Sequence, residues 1–333
     1  MSLVEQVQSL LAAAAQSDQS LADQASRIEA LSQQITTLSA ENAALRERLE
    51  SPQSPPVTEW GFVANETDPA AAFAPALKTM KADGGDWLRL WHSSFGTISA
   101  ATAALITLAA AIGVKVILCV QPKDGEARNL GSPDFAGFVT KNAAILKKVT
   151  FVEAGNELNL TQFRPDDLGG NSDWHKAYVA RWLRPMAAAL SAVGVKTLCT
   201  SITDTYNPEN YRPNYDALLA AGAGDCCDGV ALQAYFLPEK LQTLSDILGH
   251  VSQTWKKPVH ITECNVLTKG LTPALWNQRF PDYLAVLVRA NVASVQFYRG
   301  FAKANGKWPW PTLFDKDGQA TDVYSVLKAG MKK

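Results

Sequence analysis

Phe151-Val152-Glu153-Ala154-Gly155-Asn156-Glu157-Leu158 reads as a short apolar strand that breaks at a glycine and delivers a glutamate at its carboxyl end. A second segment, Val259-His260-Ile261-Thr262-Glu263-Cys264-Asn265, repeats the pattern and ends its β-branched run at Glu263. Such residues suit a pleated, buried position. Further strand-like runs lie at 58–64, 86–91, 114–120, 149–155, 196–202, 228–235, 258–263 and 292–298. Helical patterns fall between them at 69–82, 98–112, 133–147, 173–193, 212–223, 239–255 and 273–290, and 321–331 closes the chain. This alternation predicts an α/β fold, a (β/α)8 TIM barrel built from a parallel sheet. A doubly wound open sheet is the rival, but Gly61-Phe62-Val63-Ala64-Asn65-Glu66 lacks the G-x-G-x-x-G that such a sheet carries after its first strand. Ile112-Gly113-Val114 and Val193-Gly194-Val195 place a glycine where a helix should end in the left-handed conformation before the next strand.

Residues 1–50 read differently. Val7, Ala14, Leu21, Ile28, Ile35, Asn42 and Leu49 recur every seven positions, and Leu3, Leu10, Ser17, Gln24, Leu31, Leu38 and Leu45 form the second seam. The repeat is clean from Ile28 onward and weak between Ala14 and Gln24. It predicts a coiled-coil oligomerisation helix over residues 3–49, a homodimer or homotrimer, with Asn42 at one buried position. The competing reading is one amphipathic helix packed on its own domain, which usually buries a wider face than two positions in seven. Ser51-Pro52-Gln53-Ser54-Pro55-Pro56 cannot continue a helix, so 51–56 is expected to be a Pro-rich linker and 57–333 the barrel.

The 333 residues include 47% hydrophobic ones and carry a net charge of −1, enough for a large core and without a basic block. Neither nucleic acid nor an acidic membrane surface is indicated as a partner. No apolar run approaches the ~20 residues needed to span a bilayer. Five cysteines, at 119, 199, 226, 227 and 264, show no C-x-x-C spacing and read as reduced thiols. The opening Met1-Ser2-Leu3-Val4-Glu5 lacks a cationic start, so no secretory signal is expected and the chain reads as cytoplasmic on synthesis. No H-E-x-x-H, clustered His/Cys or G-x-S-x-G pattern occurs, so neither a metal, a cofactor nor a serine nucleophile is expected.

In a barrel of this kind, the ends of strands four and seven open on the same face, where active sites lie. Two carboxylates there, Glu157 and Glu263, are what glycoside hydrolysis requires: one acid and base, one nucleophile. The alternative is that Glu157 caps a helix and Glu263 pairs with a surface lysine. Here Asn156-Glu157 after strand four and Ile261-Thr262-Glu263 on strand seven resemble the clan-A retaining glycoside hydrolases. Glu153-Ala154-Gly155-Asn156-Glu157 is similar to the E-x-x-N-E version of that superfamily. The likeness covers 57–333 in expected architecture and about 25 positions in motif.

That resemblance implies Glu157 as acid/base, Glu263 as nucleophile, and Asn156 as a donor to the sugar 2-hydroxyl. It implies that Arg89 keeps the nucleophile charged, although an interior ion pair of Arg89 with Glu153 fits equally and the two can coexist. Tyr235 matches the tyrosine that donates to the nucleophile, but Gln233 stands where the superfamily often has His. Strand eight often ends in Trp in that superfamily; here it gives Phe297-Tyr298, with Trp308 and Trp310 beyond as candidate sugar platforms. His92 follows strand two as a candidate cleft residue, and reads as well as a satisfied polar group. His260, inside strand seven, is expected to face outward. A carbohydrate partner follows, with a multimeric bacteriophage tail or lysis component acting on bacterial surface glycan as the setting such an architecture suits. A carbohydrate-binding or adhesive barrel with little turnover is the alternative, with the coiled coil supplying avidity.

Overall fold

The structure is a computed structural model that describes residues 26, 29, 33, 58–65, 68, 70–121, 133–168, 173–204, 208–236, 238–266, 273–301 and 312–331. The chain divides into two units, Met1–Ser54 and Pro55–Lys333. The seven-residue repeat of 3–49 lies outside the described residues, save Ser26, Glu29 and Gln33.

The second unit is a closed parallel barrel in which each strand pairs with the next and β8 returns to β1. Its strands are β1 Glu59–Ala64, β2 Trp87–His92, β3 Lys115–Val120, β4 Phe151–Ala154, β5 Lys196–Cys199, β6 Gly229–Phe236, β7 Val259–Val266 and β8 Ser294–Phe297. The helices are α1 Ala70–Ala82, α2 Ala100–Ala111, α3 Phe135–Leu146, α4 Trp174–Tyr178, α5 Arg184–Ser191, α6 Tyr211–Ala220, α7 Leu241–Trp255, α8 Pro273–Arg289 and α9 Asp322–Met331. The helical stretch expected at 173–193 is interrupted by a π turn at Val179–Leu183, between α4 and α5. Gly113 and Gly194 follow α2 and α5 at φ 72° and 76°, the left-handed stops anticipated there. No described helix is long and apolar enough to cross a membrane.

Strand alternation divides the core. Outward residues such as Phe62, Leu88, Leu118, Val152, Leu232 and Ile261 join the helix layer in one large apolar cluster. Inward residues at the amino ends of the strands, namely Trp87, Ile117, Phe151, Leu198 and Ala231, form a second cluster that plugs the barrel. His260 belongs to this plug and not to the outer face. Its ring lies 4.7 Å from Phe151 and 5.6 Å from Trp87, and Nδ1 is 2.8 Å from the Ser294 hydroxyl.

The correction for His260 has a local cause. Leu232 pairs with Ile261, yet Gln233 pairs with Glu263, so β7 carries an extra residue at Thr262. The register against β8 slips over the same stretch. A bulge of this kind re-aims the side chains around it. Strict alternation from an inward Glu263 puts His260 outside; with one residue inserted, His260, Thr262 and Glu263 can all face inward. Burial drives the His260 pKa down to about 4, helped by Lys115 and Lys196.

Tyrosines of the helix layer tie down the strand ends that carry the polar core. Tyr178 of α4 donates to the Ala154 carbonyl at 2.7 Å and accepts from Thr200 N–H at 2.9 Å. Tyr211 of α6 donates to the Gln233 carbonyl at 2.8 Å, and Tyr215 to that of Ala231 at 2.7 Å.

Candidate active site

Above the apolar plug, the barrel interior becomes polar. Arg89 on β2 is fully buried and donates in three directions. Its Nε meets Glu153 Oε2 at 2.7 Å, one terminal nitrogen meets Glu263 Oε1 at 2.5 Å, and the other meets Asn156 Oδ1 at 2.8 Å. Both readings of Arg89, interior ion pair and partner of Glu263, are therefore present together. Burial works against its charge, but Glu153 and Glu263 outweigh that and hold the guanidinium well above its ordinary pKa. The planar fork of arginine makes this possible, since lysine offers no such set of fixed donors.

Glu153 is equally buried. Burial raises its pKa, while Arg89 opposes the rise by charge and hydrogen bond. Thr262, brought inward by the bulge, donates to its other oxygen at 3.3 Å.

Glu263 is only 5% exposed and has a donor on each oxygen: Arg89 on Oε1 and the Tyr235 hydroxyl on Oε2, the latter at 2.6 Å. Burial, and then the charge of Glu263, raise the Tyr235 pKa well above the usual phenol, so it remains a donor. The charge of Glu157 also acts on Tyr235, though less strongly. Tyr298, just past β8, stands edge-on to Tyr235 with ring centroids 6.2 Å apart. Its pKa is pushed up to about 12, by burial first and by Glu263 second.

Glu157 sits where β4 breaks. Gly155 takes φ 93° and Glu157 itself takes φ 51°, a left-handed conformation that is uncommon for a residue with a side chain. Such strain costs on the order of 1–3 kcal/mol and tends to cluster at functional positions. The Glu157 N–H donates to the Ser201 hydroxyl at 3.4 Å, and its carbonyl accepts from Leu160 N–H at 2.8 Å. The side chain is half-buried.

Asn156 joins the two carboxylate-bearing segments. Its Oδ1 accepts from Arg89 at 2.8 Å, from Gln233 Nε2 at 2.6 Å and from the Ser201 hydroxyl at 3.3 Å. Its backbone N–H donates to Gln121 Oε1 at 2.8 Å. Gln121, at the end of β3, and Ser201, beyond β5, were not singled out from sequence. The only signal was a polar residue close after an apolar strand, a pattern too common to single either out.

The remaining candidates lie elsewhere. His92 is the last residue of β2 and has outward parity, so its ring stacks on Phe138 of α3 at 5.9 Å and its Nε2 meets the Ser94 hydroxyl at 3.3 Å. Burial lowers its pKa. It is turned to the helix layer, away from Arg89 and Glu263. Trp308 and Trp310 lie outside the described residues.

No family model matches the chain, and no curated protein matches its sequence. Solved structures do match in shape. The endo-β-1,4-mannanase from Thermotoga petrophila superimposes with a TM-score of 0.58 at 11% identity, over 83% of this chain and 77% of that one. The intracellular xylanase TsXylA from Thermoanaerobacterium saccharolyticum gives 0.55 at 12%, over 81% and 95%. A glycosylated endo-β-1,4-xylanase of glycoside hydrolase family 10 from Gloeophyllum trabeum gives 0.52 at 12%, over 83% and 96%. At such identities the likeness is one of fold: the chain is an eight-stranded parallel barrel of the TIM type.

Proposed function

We propose that the chain is a retaining glycoside hydrolase in which Glu263 is the nucleophile and Glu157 the acid/base. One observation carries this reading. Glu263 holds a donor on each oxygen, and the guanidinium that supplies one of them also grips Asn156, the neighbour of Glu157. A carboxylate with a cation on one oxygen and a phenol on the other is held in place and aimed, as a nucleophile must be.

In the first step Glu263 attacks the anomeric carbon as the glycosidic C–O bond breaks. Glu157 gives its proton to the departing oxygen. A covalent glycosyl–Glu263 ester results, and Glu157 is left as carboxylate. In the second step Glu157 takes a proton from water, whose oxygen attacks the anomeric carbon and releases Glu263. Two inversions return the original configuration. The Asn156 NH2 serves as donor to the sugar 2-hydroxyl, a contact that strengthens in the oxocarbenium-like transition state. Tyr298, which follows β8 and stands edge-on to Tyr235, takes the platform role suggested for that position.

The substrate is a poly- or oligosaccharide, and β-1,4-mannan and β-1,4-xylan are the first to test, given what the structural neighbours act on. Bacterial surface glycan follows, in the multimeric setting that the repeat of residues 3–49 suggests. Comparing the oligomeric state of the full chain with that of residues 57–333 tests that part.

The deciding experiment measures hydrolysis of para-nitrophenyl β-glycosides by the wild type, Glu157→Gln and Glu263→Ala. The wild type should turn over at least one glycoside. Glu157→Gln should keep part of that rate, because nitrophenolate leaves with little need of an acid, whereas Glu263→Ala should keep none. Glycan binding without hydrolysis by the wild type would instead make the barrel a binding module.

A further inference from the structure

We propose that Gln233, supported by Ser201, is a positioning residue that holds the Asn156 amide in the orientation Arg89 sets, so that the protein presents a donor to the sugar 2-position. This rests on the glycosidase reading above.

The polarity of the cluster can be worked out from its unambiguous members. Arg89 can only donate, so the Asn156 atom 2.8 Å from its terminal nitrogen must be the oxygen. That oxygen also faces Gln233 at 2.6 Å, so Gln233 must present its NH2 there. The same NH2 reaches the Ser201 hydroxyl at 3.4 Å, and that hydroxyl lies 3.3 Å from Asn156 Oδ1. Flipping Asn156 would set its NH2 against the Arg89 guanidinium, which can only donate, and against the Gln233 NH2 as it stands. The Asn156 NH2 itself donates to no group among the described residues.

Gln233 makes this arrangement against its own preference. Its Oε1 is buried and has no hydrogen-bond partner among the described residues. A buried acceptor left unmade is unfavourable. Nothing about Oε1 therefore selects the observed orientation of the Gln233 amide; Asn156 does. The backbone is held as well, with the Gln233 N–H on the Ile202 carbonyl at 3.2 Å and the Gln233 carbonyl on Tyr211 at 2.8 Å. A residue anchored at both backbone groups can hold its side chain in one place. The polarity of the Asn156 amide is thus set by Arg89, and the Gln233 amide on β6 holds it there with a second donor, which bears on the substituent favoured at the sugar 2-position in the transition state.

The test compares kcat/KM on a para-nitrophenyl β-glycoside turned over by the wild type with that on its 2-deoxy counterpart. The wild type should favour the 2-hydroxylated sugar, chiefly through kcat. Gln233→Leu should reduce that preference about tenfold or more, and Gln233→Glu further, because a carboxylate there repels Asn156 Oδ1. Gln233→His keeps an N–H donor and should retain much of the preference. Ser201→Ala removes the longer contact and should give a smaller loss in the same direction. In the Asn156→Ala background, Gln233→Leu should change the preference no further. An equal fall on both sugars, or an unchanged preference in Gln233→Leu, overturns the clamp while leaving the hydrolase reading intact. If Gln233→Leu fails to fold, the Gln233→Glu and Ser201→Ala preferences decide by the same criterion. A wild type that hydrolyses no glycoside removes both readings together.

Discussion

Replacing Arg89 by methionine removes the cation from a buried cluster and leaves the Glu153 carboxyl without its partner. Glu153 and Arg89 are both fully buried, 2.7 Å apart, so no solvent can substitute for the lost guanidinium. Breaking one side of such a pair costs about 3–5 kcal/mol. That is a large share of the ~5–15 kcal/mol by which a domain is usually stable. Glu153 already sits above its ordinary pKa because of burial, with Arg89 opposing the rise. Without Arg89 it rises further. The native variant then holds a proton that the unfolded chain releases at neutral pH, so its stability should fall as pH rises above the unfolded value of about 4.3 and recover on acidification. Urea unfolding followed by tryptophan fluorescence, at about pH 8 and again near pH 5, measures this. The second substitution Glu153→Gln, made in Arg89→Met, should restore roughly half of the loss at the higher pH, because a neutral amide needs no proton taken up on folding. A loss below about 1 kcal/mol in the single variant, or no recovery in the double, would refute the claim that the cluster is held by paired buried charge.

Tyr235→Phe removes the 2.6 Å hydrogen bond to Glu263 while keeping the ring, and kcat/KM should fall about 10- to 100-fold, from ~1.5–3 kcal/mol for a hydrogen bond to a charged group. An activity within twofold of wild type would remove Tyr235 from the site. His260 is neutral in the fold, with a pKa of about 4, so stability should be intact above the unfolded value of about 6.5 and decline as pH falls through that interval, by up to about 3 kcal/mol. His260→Gln should flatten that decline in acid-titrated urea curves. Gly61→Ala places a Cβ 1.7 Å from the Trp87 carbonyl, where β1 and β2 approach closely, and should destabilise by about 3 kcal/mol or more in the same assay.

Much of the barrel could be read directly because its strands are buried on both faces and so appear as apolar runs between helical patterns. Expected strand 114–120 against β3 Lys115–Val120, and expected helix 239–255 against α7 Leu241–Trp255, show how closely the edges follow. Glu157 and Glu263 stood out as candidates because each lies at the carboxyl end of a strand-like run. What was not legible depends on pairing. The extra residue at Thr262 inverts the alternation of β7, and nothing in Val-His-Ile-Thr-Glu announces it. His260 was consequently assigned to the wrong face. Likewise, His92 looks like a site residue by position, yet its parity turns it onto Phe138. The hold of Gln121, Ser201 and Gln233 on Asn156 comes from in or just beyond three different strands, so no local spacing encodes it.

The account stands most directly on the identity of the nucleophile. Incubation with a dinitrophenyl 2-deoxy-2-fluoro glycoside of the sugar turned over, followed by peptide mass mapping, measures it. One stoichiometric adduct on Glu263, absent in Glu263→Ala, is the expected result. An adduct on another residue, or steady turnover with an inverted anomer and no adduct, would contradict it.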